Sequence, residues 1–119
     1  MRFMVIVKAV KDYEPGAPAD EKMMAEMGRY NDEMRKAGIL LDAVGLHPLA
    51  RGKRVRISGT KRTVIDGPFS ESKEVIGGYW MLQCKSLEEC VEWAKRSPNP
   101  DPTGADHEIE IRQVYELEA

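Results

Sequence analysis

The sequence predicts an α+β fold: one sheet carrying two helices. Three observations predict it. The elements run β-α-β-hairpin-β-α-β, the first strand is apolar on both faces, and the first long helical segment carries its apolar residues in a single stripe. With 119 residues, the chain is read as one domain, 1–119, long enough to bury a core without staples.

The elements follow in order. Phe3–Val10 is β-rich, with Phe3, Val5 and Val7 on one face and Met4 and Ile6 on the other. Both faces are therefore expected to be covered, as in a central strand. Lys11–Pro18 is a loop broken by Pro15-Gly16 and Pro18. Asp20–Ala37 is a helix: Met23, Met27, Tyr30, Met34 and Ala37 recur at helical spacing, and Gly38 stops it. Ile39–Leu49 begins a second extended segment. Arg54–Ile57 and Arg62–Ile65 form a hairpin around Ser58-Gly59-Thr60-Lys61. Polar and apolar residues alternate in its first strand, which predicts a sheet edge with one wet face.

Ile76–Cys84 is a further apolar strand, with Tyr79, Met81 and Gln83 on one face and Trp80, Leu82 and Cys84 on the other. Ser86 and Glu89 have the spacing of a capping box. The helix they open runs to about Ser97, with Leu87, Cys90, Val91 and Ala94 inward and Trp93 off that stripe. Pro98–Gly104 is a rigid loop, and Glu108–Leu117 is the last strand.

Composition narrows the function classes. A hydrophobic fraction of 42% and a charged fraction of 32% are those of a globular protein. A net charge of −2 provides no general attraction to nucleic acid. The basic run Arg51–Arg56 is local and reads as a solvated strand face, since no aromatic residues interleave with it. Cys84 and Cys90 lack metal or redox spacing and read as small core residues in a reducing compartment. No segment reads as a signal peptide or a membrane span, so a cytoplasmic location is expected, with neither membrane nor nucleic acid as partner.

This order of elements builds a ferredoxin-like sandwich, with both helices on one face of the sheet. The other face then has no cover within the chain, although its central strands are apolar there too. A homodimer that packs sheet on sheet is the expected solution.

At this point the residues resemble a known family. Ala37–Leu41, Gly45-Leu46-His47-Pro48, Val64–Phe69, Glu71–Glu74, Gly77–Trp80 and Ile109–Arg112 are similar to the YCII-related proteins, in particular the branch named for its DGPF motif. The resemblance covers almost the whole chain. It implies a ferredoxin-like fold that pairs into a dimeric α+β barrel. Most members of that branch have no established activity, and some relatives occur beside alternative sigma factors. A distant branch contains a dehydrochlorinase-type enzyme thought to use a His–Asp pair. The resemblance places its aspartate at Asp66 and its helical histidine at Met27, so this chain lacks that histidine.

The candidate site centres on the connector that begins at Asp66. Asp-Gly-Pro is turn chemistry, with the carboxylate capping backbone donors. In the functional reading Asp66 is a general base or polar anchor in a pocket lined by Phe69, Tyr79 and Trp80, with Lys73 holding an anionic group. His47 is a surface histidine or the acid/base partner of Asp66. Gly77-Gly78 let backbone approach a ligand or a neighbouring strand. Two distant histidines, His47 and His107, the latter expected to be exposed, do not make a metal site, and no cofactor motif is present. Two functions remain. One is a cofactor-free acid/base enzyme acting on a small organic acid. The other is a non-catalytic module that binds a metabolite or a protein, a regulatory role being one form of it.

Overall fold

Alternation along Phe3–Val7 decides where β1 (Arg2–Lys8) lies. In the computed structural model, which describes residues 1–9, 21–69, 75–101 and 103–116, Phe3 and Val5 are completely enclosed while Met4 and Ile6 stay half-buried. The loop expected at Lys11–Pro18 lies outside the described residues. β1 pairs antiparallel with β5 (Ile76–Gln83) on one side and β6 (Ile109–Gln113) on the other, and β2 (Leu40–Gly45) adds to the far side of β5. The strand order is therefore β2-β5-β1-β6. Each strand is a sequence-distant partner of its neighbour, so the two long crossovers must carry the helices α1 (Glu21–Lys36) and α2 (Leu87–Lys95).

Both helices pack on the same face. Tyr30 and Met34 of α1 and Cys90 of α2 share one core with Phe3, Val5, Ile39, Trp80, Leu82 and Cys84. Burying an apolar side chain of this size contributes about 1.5–3 kcal/mol. The Tyr30 hydroxyl donates to the Trp93 carbonyl at 2.6 Å and ties α1 to α2. The architecture is α+β, an antiparallel sheet with two helices, consistent with a ferredoxin-like sandwich.

Local signals explain the helix ends. Gly38 takes φ 76°, the Gly38 N–H donates to the Arg35 carbonyl, and the Ile39 N–H donates to the Met34 carbonyl. These two bonds are a Schellman stop, which the glycine permits. At α2, the Ser86 side chain accepts from the Glu89 N–H at 3.1 Å, the cap the spacing predicts.

Several expectations change. Ala37, predicted on the inward stripe of α1, is exposed, because the helix has ended and Gly38 turns the chain away. Leu87, expected inward, is 48% exposed, and within α2 full burial falls to Cys90. The second extended segment is cut at Gly45, and Leu49–Arg51 forms a 3-10 turn. The last strand ends at Gln113, and Tyr115 stands in solvent.

The hairpin departs furthest from expectation. Among the described residues, β3 (Lys53–Ser58) and β4 (Lys61–Asp66) pair only with each other, as a separate two-stranded sheet. The predicted place at a sheet edge fails, and so does the single wet face: every residue of both strands is exposed. The physical reason is the path of the chain: β2 ends the main sheet, and the chain leaves it through the 3-10 turn rather than folding back along its outer edge.

Candidate functional site

Asp66 closes the base of the hairpin. It stands opposite Lys53 in the β3–β4 register, and the Lys53 ammonium donates to its Oδ1 at 2.5 Å. The pair is open to water, with side chains 66% and 76% exposed for Lys53 and Asp66. The Gly67 N–H donates to the Gly52 carbonyl at 3.0 Å, one step beyond that pair. A Cβ on Gly67 would sit 1.9 Å from the Leu49 carbonyl oxygen, so only glycine fits where the chain folds back on the 3-10 turn. The Gly67–Pro68 peptide is cis. Phe69 follows, with the Arg54 guanidinium 3.8 Å above its ring. The DGPF residues thus close and brace a hairpin.

His47 sits on the segment before the 3-10 turn and is exposed. Its Nδ1 lies 3.3 Å from Arg51 Nη1. A guanidinium can only donate, so Nδ1 accepts there and the neutral ring carries its proton on Nε2. Asp66 pairs with Lys53, and His47 with Arg51, rather than with each other.

The two aromatic candidates stand on opposite sides of the sheet. Trp80 is a core residue: its indole N–H donates to Asn31 Oδ1 at 2.8 Å, and its ring meets Tyr30 edge-on at 5.3 Å. Tyr79 lies on the helix-free face, between Ile6 of β1 and Val44 of β2 in the register. Lys73 lies outside the described residues. Gly78 serves the neighbouring strand rather than a ligand, since a Cβ there would come within 2.4 Å of the Val44 carbonyl oxygen.

The helix-free face has an apolar centre and a charged rim. Met4, Ile6, Val44, Tyr79 and Met81 are half-buried there, while Asp42, Glu110 and Arg112 are exposed on the outer strands. The Glu110 and Arg112 side chains stand 4.0 Å apart.

A cavity of about 360 Å³ lies elsewhere, between α2, the proline-rich loop and β6. Val91, Ala94, Ile109 and Ile111 form its apolar wall, and Lys95 and His107 bring basic groups. His107, expected to be exposed, is half-buried, because its Nε2 reaches the Lys8 carbonyl at 2.7 Å. A carbonyl can only accept, so Nε2 carries a proton and Nδ1 of the neutral ring is left as an acceptor. The sequence held one hint of this site: a histidine and three prolines crowded between a helix and an apolar strand. Which strand and helix would enclose them was set by topology.

The two cysteines are buried and free. Burial pushes the Cys90 thiol up to about 12, with Cys84 beside it adding to the rise. Burial raises Cys84 as well. Both are held as thiols and are poor nucleophiles. Among the described residues no group of His, Cys, Asp and Glu has the arrangement of a metal site, and no helix is long and apolar enough to cross a membrane.

An antiparallel sheet with two helices on one face, and a DGPF segment bracing a hairpin, define a small α+β domain of one kind. The YCII-related domain matches residues 1–118, and the chain belongs to that family. It is also similar to the uncharacterized protein R00369 of Rhizobium meliloti (strain 1021), 29% identical over 96 residues that cover 81% of this chain and 77% of that protein.

Proposed function

We propose that this chain is a non-catalytic, homodimeric binding module of the DGPF branch, with a small organic acid as ligand. The state of Asp66 carries the reading. A general base needs a carboxylate free to take a proton from a bound substrate. Here the carboxylate is engaged by Lys53 at an exposed hairpin base, and the histidine assigned to it is engaged by Arg51. Asp66, Phe69 and the glycine between them act as a structural clasp. The branch assignment rests on the motif residues Val64–Phe69 and Gly77–Trp80.

The ligand's place is the cavity between α2 and β6. Its volume falls in the range of small-molecule sites, about 300–1,000 Å³. Its apolar wall suits a short carbon skeleton, the exposed Lys95, paired at 3.2 Å with its helix neighbour Glu92, can exchange that partner for a ligand carboxylate, and the His107 Nδ1 acceptor can take a hydroxyl of the same acid. The dimer forms through the helix-free face. A two-fold interface must be self-complementary, and this face offers an apolar centre with both charge signs on its rim. Two buried free thiols agree with a cytoplasmic setting.

The test is a thermal-shift screen of small organic acids against the wild type, Asp66→Asn and His107→Ala. A ligand that stabilises the wild type and Asp66→Asn equally, but not His107→Ala, is expected. Turnover of any hit that disappears in Asp66→Asn overturns the non-catalytic reading in favour of the acid/base enzyme. Light scattering that returns a monomer mass at micromolar concentration overturns the dimer.

A further inference from the structure

The polar groups of the cavity between α2 and β6 narrow what it can hold. Its polar side chains are Lys95, Ser97, Asn99 and His107. Asn99 is committed to the loop itself: its amide donates to the Ala105 carbonyl at 2.9 Å, and its Oδ1 accepts from the Asp101 N–H at 3.0 Å. The Ser97 hydroxyl donates to the Pro98 carbonyl at 3.1 Å, so its oxygen is left as an acceptor. His107 gives its Nε2 proton to the Lys8 carbonyl, so Nδ1 of the neutral ring is left as an acceptor too. The loop backbone supplies few donors here. The Ser97 N–H is taken by the Ala94 carbonyl, and Pro98 and Pro100 have no N–H.

Among the lining side chains Lys95 is then the one cation, at the α2 end. Its partner Glu92 is exposed and lies on the same helix, a pairing weak enough to yield to a ligand carboxylate. One cation and two acceptors match an anion and a hydroxyl. A carboxylate meets Lys95, and a hydroxyl brings the proton that Nδ1 or the Ser97 oxygen lacks. A keto oxygen in the hydroxyl's place would set lone pair against lone pair. A second carboxylate would do the same and bring a charge with no cation to meet it.

We infer that the cavity selects a hydroxylated monocarboxylic acid over the matching oxo acid or dicarboxylic acid, with Lys95 holding the carboxylate and His107 Nδ1 accepting from the hydroxyl. Val91, Ala94, Ile109 and Ile111 cover the carbon chain between them. The inference rests on the small-acid reading of this cavity and adds the functional group by which the acid is chosen.

Isothermal titration calorimetry on the full chain at pH 8 tests it, since imidazoles are ordinarily neutral there. The probes are six-carbon acids that differ in one group: hexanoate, its 2-, 3- and 6-hydroxy derivatives, 2-oxohexanoate and adipate. The best hydroxy acid should bind the wild type about two- to tenfold more tightly than hexanoate, the worth of one neutral hydrogen bond. 2-Oxohexanoate and adipate should bind no more tightly than hexanoate. His107→Ala should reduce the hydroxy acid to the affinity of hexanoate and leave hexanoate itself unchanged. Should that variant disturb the loop, the wild-type series still decides the selectivity. Hydroxy acids that bind no better than hexanoate, or an oxo acid or adipate that binds better, overturn the inference and leave the small-acid module standing. A hydroxyl preference that survives in a folded His107→Ala also overturns it, by removing the acceptor it assigns. Absence of binding by every probe at millimolar concentration overturns the small-acid reading and the inference with it.

Discussion

Lys53 and Asp66 face each other across the open end of the β3–β4 hairpin, the ammonium 2.5 Å from the carboxylate, with both side chains largely in water. Exposed ion pairs are worth little, about 0.2–1 kcal/mol. Asp66→Asn keeps the size and hydrogen-bonding shape of the turn residue, so unfolding stability should change by less than about 1 kcal/mol. Urea titration checks this. A larger loss would mean that the clasp carries the domain's stability.

Gly67→Ala should behave differently. Its Cβ would meet the Leu49 carbonyl oxygen at 1.9 Å, so backbone must move. The strain falls on the hairpin base, and the core cluster lies elsewhere. Hydrogen exchange should show the β3–β4 amides losing protection while β1 and β5 keep theirs. Uniform loss across the main sheet would contradict this separation.

The methionines of α1 divide by position. Met34 is fully enclosed and Met24 is 62% exposed. Met34→Ala should cost about 2–5 kcal/mol through lost burial and the cavity left behind. Met24→Ala should stay within about 0.5 kcal/mol. Equal midpoints for the two would show that the helix register is wrong.

Alkaline pH should destabilise the fold. Burial pushes Tyr30 from 10.0 up to about 12, with the Cys90 sulfur adding to the rise, and Cys90 itself moves from 9.0 to about 12. Both groups hold their protons longer when folded, so the unfolded chain releases protons first as pH rises. Their contribution is complete below about pH 9 and is lost progressively towards pH 12. Urea midpoints measured between about pH 8 and pH 11 should fall, and Tyr30→Phe should fall less steeply. A flat wild-type profile would contradict the assigned burial.

Tyr30→Phe also removes the hydroxyl that donates to Trp93 and ties α1 to α2. The Trp93 carbonyl keeps the Arg96 N–H as a donor, so the cost is that of one hydrogen bond, about 0.5–1.5 kcal/mol at neutral pH. The same urea series at about pH 7 measures it.

The element order and the burial pattern of the main sheet were legible because they are local. Period-two alternation in Phe3–Val7 and Tyr79–Cys84 names the core face, the helical stripe names Tyr30 and Met34, and Gly38 and Ser86 mark helix ends by chemistry within a few residues. The hairpin itself was legible for the same reason, down to its Gly59-containing turn.

Its place was not. Alternation in Arg54–Ile57 says which side chains share a face, but not whether the main sheet lies beside them, and among the described residues it does not. The candidate site turned on the same point. Tyr79 and Trp80 are adjacent in sequence and therefore face apart, and Asp66 and His47 each found a nearer partner.

Sequence alone determined the α+β class, the helix-side core and the composition of the hairpin, because periodicity and capping act over a few residues. Only the tertiary structure decided that the hairpin stands off the main sheet, that Asp66 is engaged by Lys53, and that His107 and Lys95 share a cavity across β6. Those outcomes depend on which distant segments claim the sheet's edges and faces, and that competition is settled by packing over the whole chain.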